Sequence, residues 1–175
     1  VLEKYFGAIE ERPDPAPVTV KEPKQTGERR FTMSFEANPY LIIGWHKPAF
    51  PSPDDMACEV IGEMLTGGKS SRLYRTLVLE KKIASSVSAW NGAPGSRYDN
   101  LFTIFATPRQ PHTAEELERA IYEEMDRFFG DVSEAELRKV VNGIESAVVF
   151  DLETNKGIAR ILSYYQTIYG SWKYA

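Results

Sequence analysis

The chain of 175 residues has one cysteine, Cys58, and two histidines, His46 and His112. A single cysteine excludes an internal disulfide and any Cys-rich zinc site. Two histidines cannot build a three-histidine metal centre from this chain alone. Neither sign of charge dominates. The 21 basic and 25 acidic residues leave a net charge of -4, which provides no field for gathering nucleic acid or an anionic membrane. No apolar run approaches the roughly 18–20 residues that span a bilayer; the longest are short, such as Tyr40-Leu41-Ile42-Ile43. Val1-Leu2-Glu3-Lys4 is neither a signal peptide nor an initiator methionine, so the expectation is a piece of a longer protein. Localisation stays open between cytoplasmic and exported.

Hydrophobic residues make up 42% of the chain, including 9 Phe, 9 Tyr and 3 Trp. That is enough to build a core and excludes wholesale disorder. Eight of the 11 prolines lie between Pro13 and Pro53, and none follows Pro111. The front is therefore read as extended and the back as helical. Residues 1–29 read as an extended lead-in from a preceding domain and 30–175 as one α+β domain. Arg30 to Glu36 alternates with Phe31, Met33 and Phe35 on one face, the period of a half-buried strand. Asn38-Pro39 suits a turn into a second strand, Tyr40 to His46.

From Asp54 the period becomes helical, with Met56, Val60, Ile61, Met64 and Leu65 on one stripe that ends at Gly67-Gly68. A second helix with Leu73, Leu77 and Val78 inward follows, capped by Ser70 or Ser71. Ala84 to Trp90 and Leu101 to Thr107 read as strands around a turn-rich stretch. Thr113-Ala-Glu-Glu116 and Ser133-Glu-Ala-Glu136 are capping boxes opening two helices, the first with Leu117, Ile121, Met125 and Phe128 on its apolar face. Behind the second box stand Leu137, Val140, Val141, Ile144, Val148 and Leu152. A last helix covers 157–169. Paired strands with helices between them argue an α+β fold, an antiparallel or mixed curved sheet with helices packed on one face.

The usual constellations for catalysis are missing. His46 and His112 stand 66 positions apart, whereas a zinc peptidase needs two histidines one helical turn apart with a glutamate beside them. His46 is read as structural and His112 as solvated. There is no Gly-x-Ser-x-Gly elbow. Gly67-Gly68-Lys69-Ser70-Ser71 lacks the leading glycine and spacing of a phosphate loop, and it follows a helix rather than a strand. Cys58 beside an apolar stripe reads as packing. Glu115, Glu116, Glu123 and Glu124 read as a solvated helix face. No residue is assigned a catalytic or metal-binding role.

The ordered set His46-Lys-Pro-Ala-Phe-Pro-Ser-Pro-Asp-Asp55, then Gly67-Gly-Lys-Ser-Ser-Arg-Leu-Tyr74, with Tyr5-Phe6-Gly7 before it and Asp131-Val-Ser-Glu-Ala-Glu-Leu137 after, resembles the C-terminal, non-metal-binding domain of pitrilysin/insulinase-type zinc peptidases. Mitochondrial processing peptidases belong to the same group. The resemblance implies the LuxS/processing-peptidase-like metallohydrolase fold. It implies a structural glycine loop at Gly67, Gly68, Ser70, Ser71 and Arg72. It implies a zinc-bearing N-terminal domain in the same parent chain and no cofactor in this piece, and it allows a second homologous domain or subunit closing around a peptide substrate. Family members carry Leu-Arg-Glu-x-x-x-Leu-Ala-Tyr after the glycine loop, with Arg and Tyr reaching the substrate. The matching positions here are Val78 and Ser85, so that pair is lost. The implied function is a non-catalytic domain forming the chamber wall and the interdomain surface; the alternative is a scaffold or binding subunit of a degenerate, inactive homologue.

Overall fold

A computed structural model describes residues 1–10, 12, 13, 16, 18 and 23–175. The remaining part of the expected lead-in, at positions 11, 14, 15, 17 and 19–22, lies outside the described residues. The chain divides into two compact units, Val1–Glu36 and Ala37–Ala175. Among the described residues, the first holds one short helix, α1 (Leu2–Phe6), with no buried residue. The strand expected over Arg30 to Glu36 is not formed, and Phe31, Met33 and Phe35 are exposed. Alternation alone makes no strand when no neighbouring strand takes up the backbone groups.

The second unit contains β1 (Leu41–Lys47), α2 (Pro53–Thr66), a π-helix (Tyr74–Glu80), β2 (Ala84–Ala93), β3 (Asn100–Pro108), α3 (Ala114–Gly130), α4 (Glu134–Leu152), α5 (Asn155–Tyr169) and a 3₁₀ turn (Trp172–Tyr174). The sheet is antiparallel in the order β1-β3-β2. β1 therefore pairs with β3 rather than in a hairpin with the segment before it, Ile43 opposite Ile104 and Trp45 opposite Phe102. β2 and β3 form the hairpin that the pattern predicts, with Ala89 opposite Ile104. β2 runs to Ala93, three residues past the expected end.

One face of the sheet carries Ile43, Val87, Phe102, Ile104 and Ala106 into the core, where they meet Met64 and Leu65 of α2, Leu73, Leu77 and Val78 around the π-helix, and Leu117, Ile121 and Phe128 of α3. Leu65, Leu73, Leu77, Ile104, Leu117 and Ile121 are fully buried. Each contributes about 1.5–3 kcal/mol of apolar transfer. The close approach of α2 to the sheet passes over Gly62, where a Cβ would lie 3.4 Å from Phe102 Cε2 and 3.7 Å from Ala89 Cβ. The Thr66 hydroxyl at the end of α2 accepts from the Ala89 N–H at 3.0 Å, satisfying a donor on β2.

The helices reproduce the 3.6-residue period where they cover the sheet and depart from it where they do not. Met56, placed on the inward stripe of α2 by its spacing, is exposed in the first turn. α4 buries no residue, and Leu137, Val148 and Leu152 on its expected core stripe stay exposed. α5 buries only Gly157. These two helices touch each other, and α4 also meets α2.

Candidate functional site

The glycine loop and the start of α4 form a connected polar site on this unit. Ser52 caps α2 at its front, its side chain accepting from the Asp54 N–H. At the far end, Gly67 sits where a Cβ would fall 2.5 Å from the Glu63 carbonyl, and Gly68 adopts φ +99°. An L side chain is excluded sterically at the first and conformationally at the second. The chain thereby reverses within two residues. Ser71 does not cap the next helix by accepting; its hydroxyl donates to the Gly68 carbonyl at 2.6 Å and closes the turn.

The reversal aims Arg72 at the junction between α3 and α4. Its Nε donates to Glu136 Oε1 at 2.8 Å and its Nη2 to Oε2 at 2.6 Å, a two-pronged guanidinium–carboxylate pair. Nη2 also donates to the Asp131 carbonyl at 2.5 Å, and the guanidinium lies 5.5 Å from the Phe128 ring centroid. Lys139 Nζ donates to Ser70 Oγ at 3.1 Å. The pairing holds the Glu136 carboxyl below the usual carboxylate range and raises Arg72 further. Only half of the second expected capping box forms: Ser133 accepts from the Glu136 N–H at 3.2 Å, while the Glu136 side chain has gone to Arg72. The first box is complete at Thr113 and Glu116. A pocket of about 190 Å³ lies beside the loop, lined by Glu63, Met64, Ser70, Glu136, Lys139 and Ile144 among others.

Val78 and Ser85, the positions matched to the Arg/Tyr pair, point to different places. Val78 is 6% exposed and belongs to the core cluster. Ser85 is exposed on β2, and its hydroxyl donates to the Thr107 carbonyl at 3.2 Å. The element that carries Val78 is wound as a π-helix, with the Lys81 N–H donating to the Thr76 carbonyl five residues back. In that winding the next residue, Leu79, faces outward and is 47% exposed. The element is fixed to α3 by Glu124, which is buried rather than solvated and accepts from Thr76 Oγ1 at 3.4 Å and Arg127 Nη1 at 2.5 Å.

His112 is likewise not free in solvent, its Nδ1 lying 3.1 Å from Glu116 Oε2. His46 is exposed on β1. Cys58 is half-buried against the core, and burial pushes its thiol up, away from the reactive thiolate. Among the described residues, no group of three or more His, Cys, Asp or Glu could hold a metal ion, so zinc does not fit the donor set here. No helix among them is long and apolar enough to cross a membrane. The sequence pattern named the loop, and named Glu136 and Asp131 only as parts of a cap and a motif, but neither their pairing with the loop nor Lys139; the three meet it from 59 to 69 positions away. The one available signal was the Ser-x-x-Glu box, whose glutamate has a second use.

Residues 1–144 match the family described as the Peptidase M16 inactive domain. The zinc protease PqqE of Helicobacter pylori is 27% identical over 168 residues, covering 93% of this chain and 37% of that protein. A solved protease structure from Helicobacter pylori superposes with a TM-score of 0.67 at 26% identity, over 72% of this chain and 30% of its own. The inactive peptidase domain of a Bordetella parapertussis protein assigned as a zinc protease superposes with a TM-score of 0.64 at 20% identity, over 79% of this chain and 75% of its own, a likeness of fold. The chain thus spans about a third of the length of the Helicobacter proteins it matches. With its α+β fold, its ordered motifs and its lack of a metal-ligating group among the described residues, the chain belongs to the inactive-domain family of M16 peptidases.

Proposed function

We propose that this domain is the non-catalytic partner of a zinc-bearing N-terminal domain in the same parent chain, supplying part of the wall of a peptide chamber and the surface on which the other domains close. The observation that carries the reading is the match to an inactive peptidase domain over 144 residues, joined to a donor set that fits no zinc among the described residues. The one-sided packing supports it. Helices cover one face of the sheet, and the opposite face, with Ile42 and Trp90 about half exposed, is left for the chamber side. Zinc, when bound in the parent's other domain, would polarise a peptide carbonyl and activate water; this domain's residues would hold and shape the space.

The missing Arg/Tyr pair favours a second reading, in which the parent is a scaffold or binding subunit without activity. Val78 has no donor, and the Ser85 hydroxyl is engaged by Thr107. An active parent would then take its donors from a second homologous domain or subunit. The parent protein, purified with and without this domain, separates the readings. One zinc per chain and peptide hydrolysis that falls at least tenfold on deletion support the first. A parent with neither zinc nor hydrolysis, but with peptide binding lost on deletion, supports the second.

A further inference from the structure

We infer that the end of the sheet holds one buried structural water, bound by Asn91, Asn100 and Lys47. The first observation is a pair of buried acceptors. Asn91 Oδ1 and Asn100 Oδ1 have no hydrogen-bond partner among the described residues, and Asn100 is only 3% exposed. The assignment of each amide is fixed by its other end. Asn91 Nδ2 donates to the Asp55 carbonyl at 3.0 Å and to Glu59 Oε2 at 3.0 Å. Asn100 Nδ2 donates to the Tyr98 carbonyl at 2.8 Å. Turning either amide would set oxygen against oxygen, so the orphaned atoms are the acceptors.

The second observation is a donor with capacity to spare at the same end of the sheet. Lys47 stands directly opposite Asn100 across the β1–β3 ladder. It is 7% exposed, and its ammonium donates to Asp55 Oδ1 and to the Pro48 carbonyl. An ammonium has three donors, and two are used. Asn91 lies on the same face, opposite Phe102 on β3 and linked to Asp55 through its amide.

The valences identify the occupant. Two acceptors must be satisfied by donors, and one ammonium proton by an acceptor. Water offers two donors and an acceptor. A metal cation offers no acceptor to Lys47, an ammonium ion offers none either, and a carboxylate or phosphate offers no donors. An orphaned buried acceptor is unfavourable, and buried waters commonly make about three hydrogen bonds to groups of this kind. The water completes a junction of β1, β2, β3 and the first turn of α2, where the run from His46 to Asp55 meets the sheet.

A crystal structure of the 175-residue chain to about 1.5 Å tests this. The expected result is one ordered water within about 2.7–3.2 Å of Asn100 Oδ1 and of at least one of Asn91 Oδ1 and Lys47 Nζ. Lys47 Nζ donating directly to Asn100 Oδ1, a peak ringed by four or more oxygens near 2.4 Å as for a sodium ion, or a site closed by side chains would overturn it. In solution, cross-relaxation between water and the Asn100 side-chain amide should be present in the native chain, and its absence would also overturn the assignment.

Discussion

Arg72 serves three neighbours, Glu136, Asp131 and Phe128, with one guanidinium, so its replacement should cost more than a surface ion pair. Arg72→Lys keeps the charge but loses the two-pronged contact with Glu136. In a double-mutant cycle of Arg72→Gln and Glu136→Gln, the coupling should be about 1–2 kcal/mol by denaturant unfolding, against about 0.5 kcal/mol for the exposed pair of Arg138 and Glu134. The pH dependence follows from the lowered Glu136 carboxyl. Its pairing contributes fully above the unfolded carboxylate range and is lost as pH falls through the lower folded value. Glu136→Gln should therefore flatten the acid limb of the stability curve below about pH 4.5, measured by thermal midpoint. Val78 and Leu79 give the second residue-scale test. Restoring the family arginine as Val78→Arg places a charge in the core and should cost more than about 3 kcal/mol, while Leu79→Arg should stay within about 0.5 kcal/mol. Equal costs in the two variants would show that the π-winding does not set which side chain faces out.

Among the elements, two positive-φ positions, Gly68 and Lys82, bracket the segment that holds the π-helix. Gly68→Ala should lower stability by about 1–3 kcal/mol, since φ +99° is retained only under strain. Lys82 carries the same problem already, at φ 55°. Lys82→Gly should raise the thermal midpoint by a few degrees, about 1 kcal/mol. α4 and α5 are the long helices least anchored by burial. Their amides should exchange with solvent faster than those of β3 and α3 by hydrogen-exchange mass spectrometry, because few buried contacts resist their opening. The elements that the sequence makes legible are those whose signal is local. The period of α3, its Thr113 box and the β2–β3 hairpin follow from neighbours a few residues apart. The pairing of β1 with β3 was not legible, because alternation at Phe31, Met33 and Phe35 signals a strand but names no partner. The π-winding was hidden for a related reason: Leu73 and Leu77 fit an α-helical stripe equally well, and only the backbone bonds distinguish the two. Glu124 reads as one of four surface carboxylates until Thr76 and Arg127 are brought to it.

At the scale of the molecule, the two histidines, one half-buried thiol and scattered carboxylates predict that the chain retains no zinc. Metal analysis after dialysis should find well under one zinc per chain, and a tightly held ion with ligands inside a single chain would overturn this. The candidate site was half legible at this scale. The Gly67-Gly68 reversal and Arg72 stand out by residue type and order, whereas their partners on α4 are chosen by the fold: Glu136 is marked only as a cap and Lys139 not at all.

The diverted Glu136 side chain bears on the order of folding. In an isolated peptide covering α4, Glu136 is free to complete the box with Ser133, so the start of the helix can be fixed by its own neighbours. In the native chain that carboxylate belongs to a guanidinium 64 positions upstream, and the local arrangement has to be given up. α3 keeps its box throughout. α3 should therefore nucleate early and α4 should dock late, exchanging a contact of short loop closure for one of long. Substitutions at Arg72 would then accelerate unfolding with little change in the folding rate.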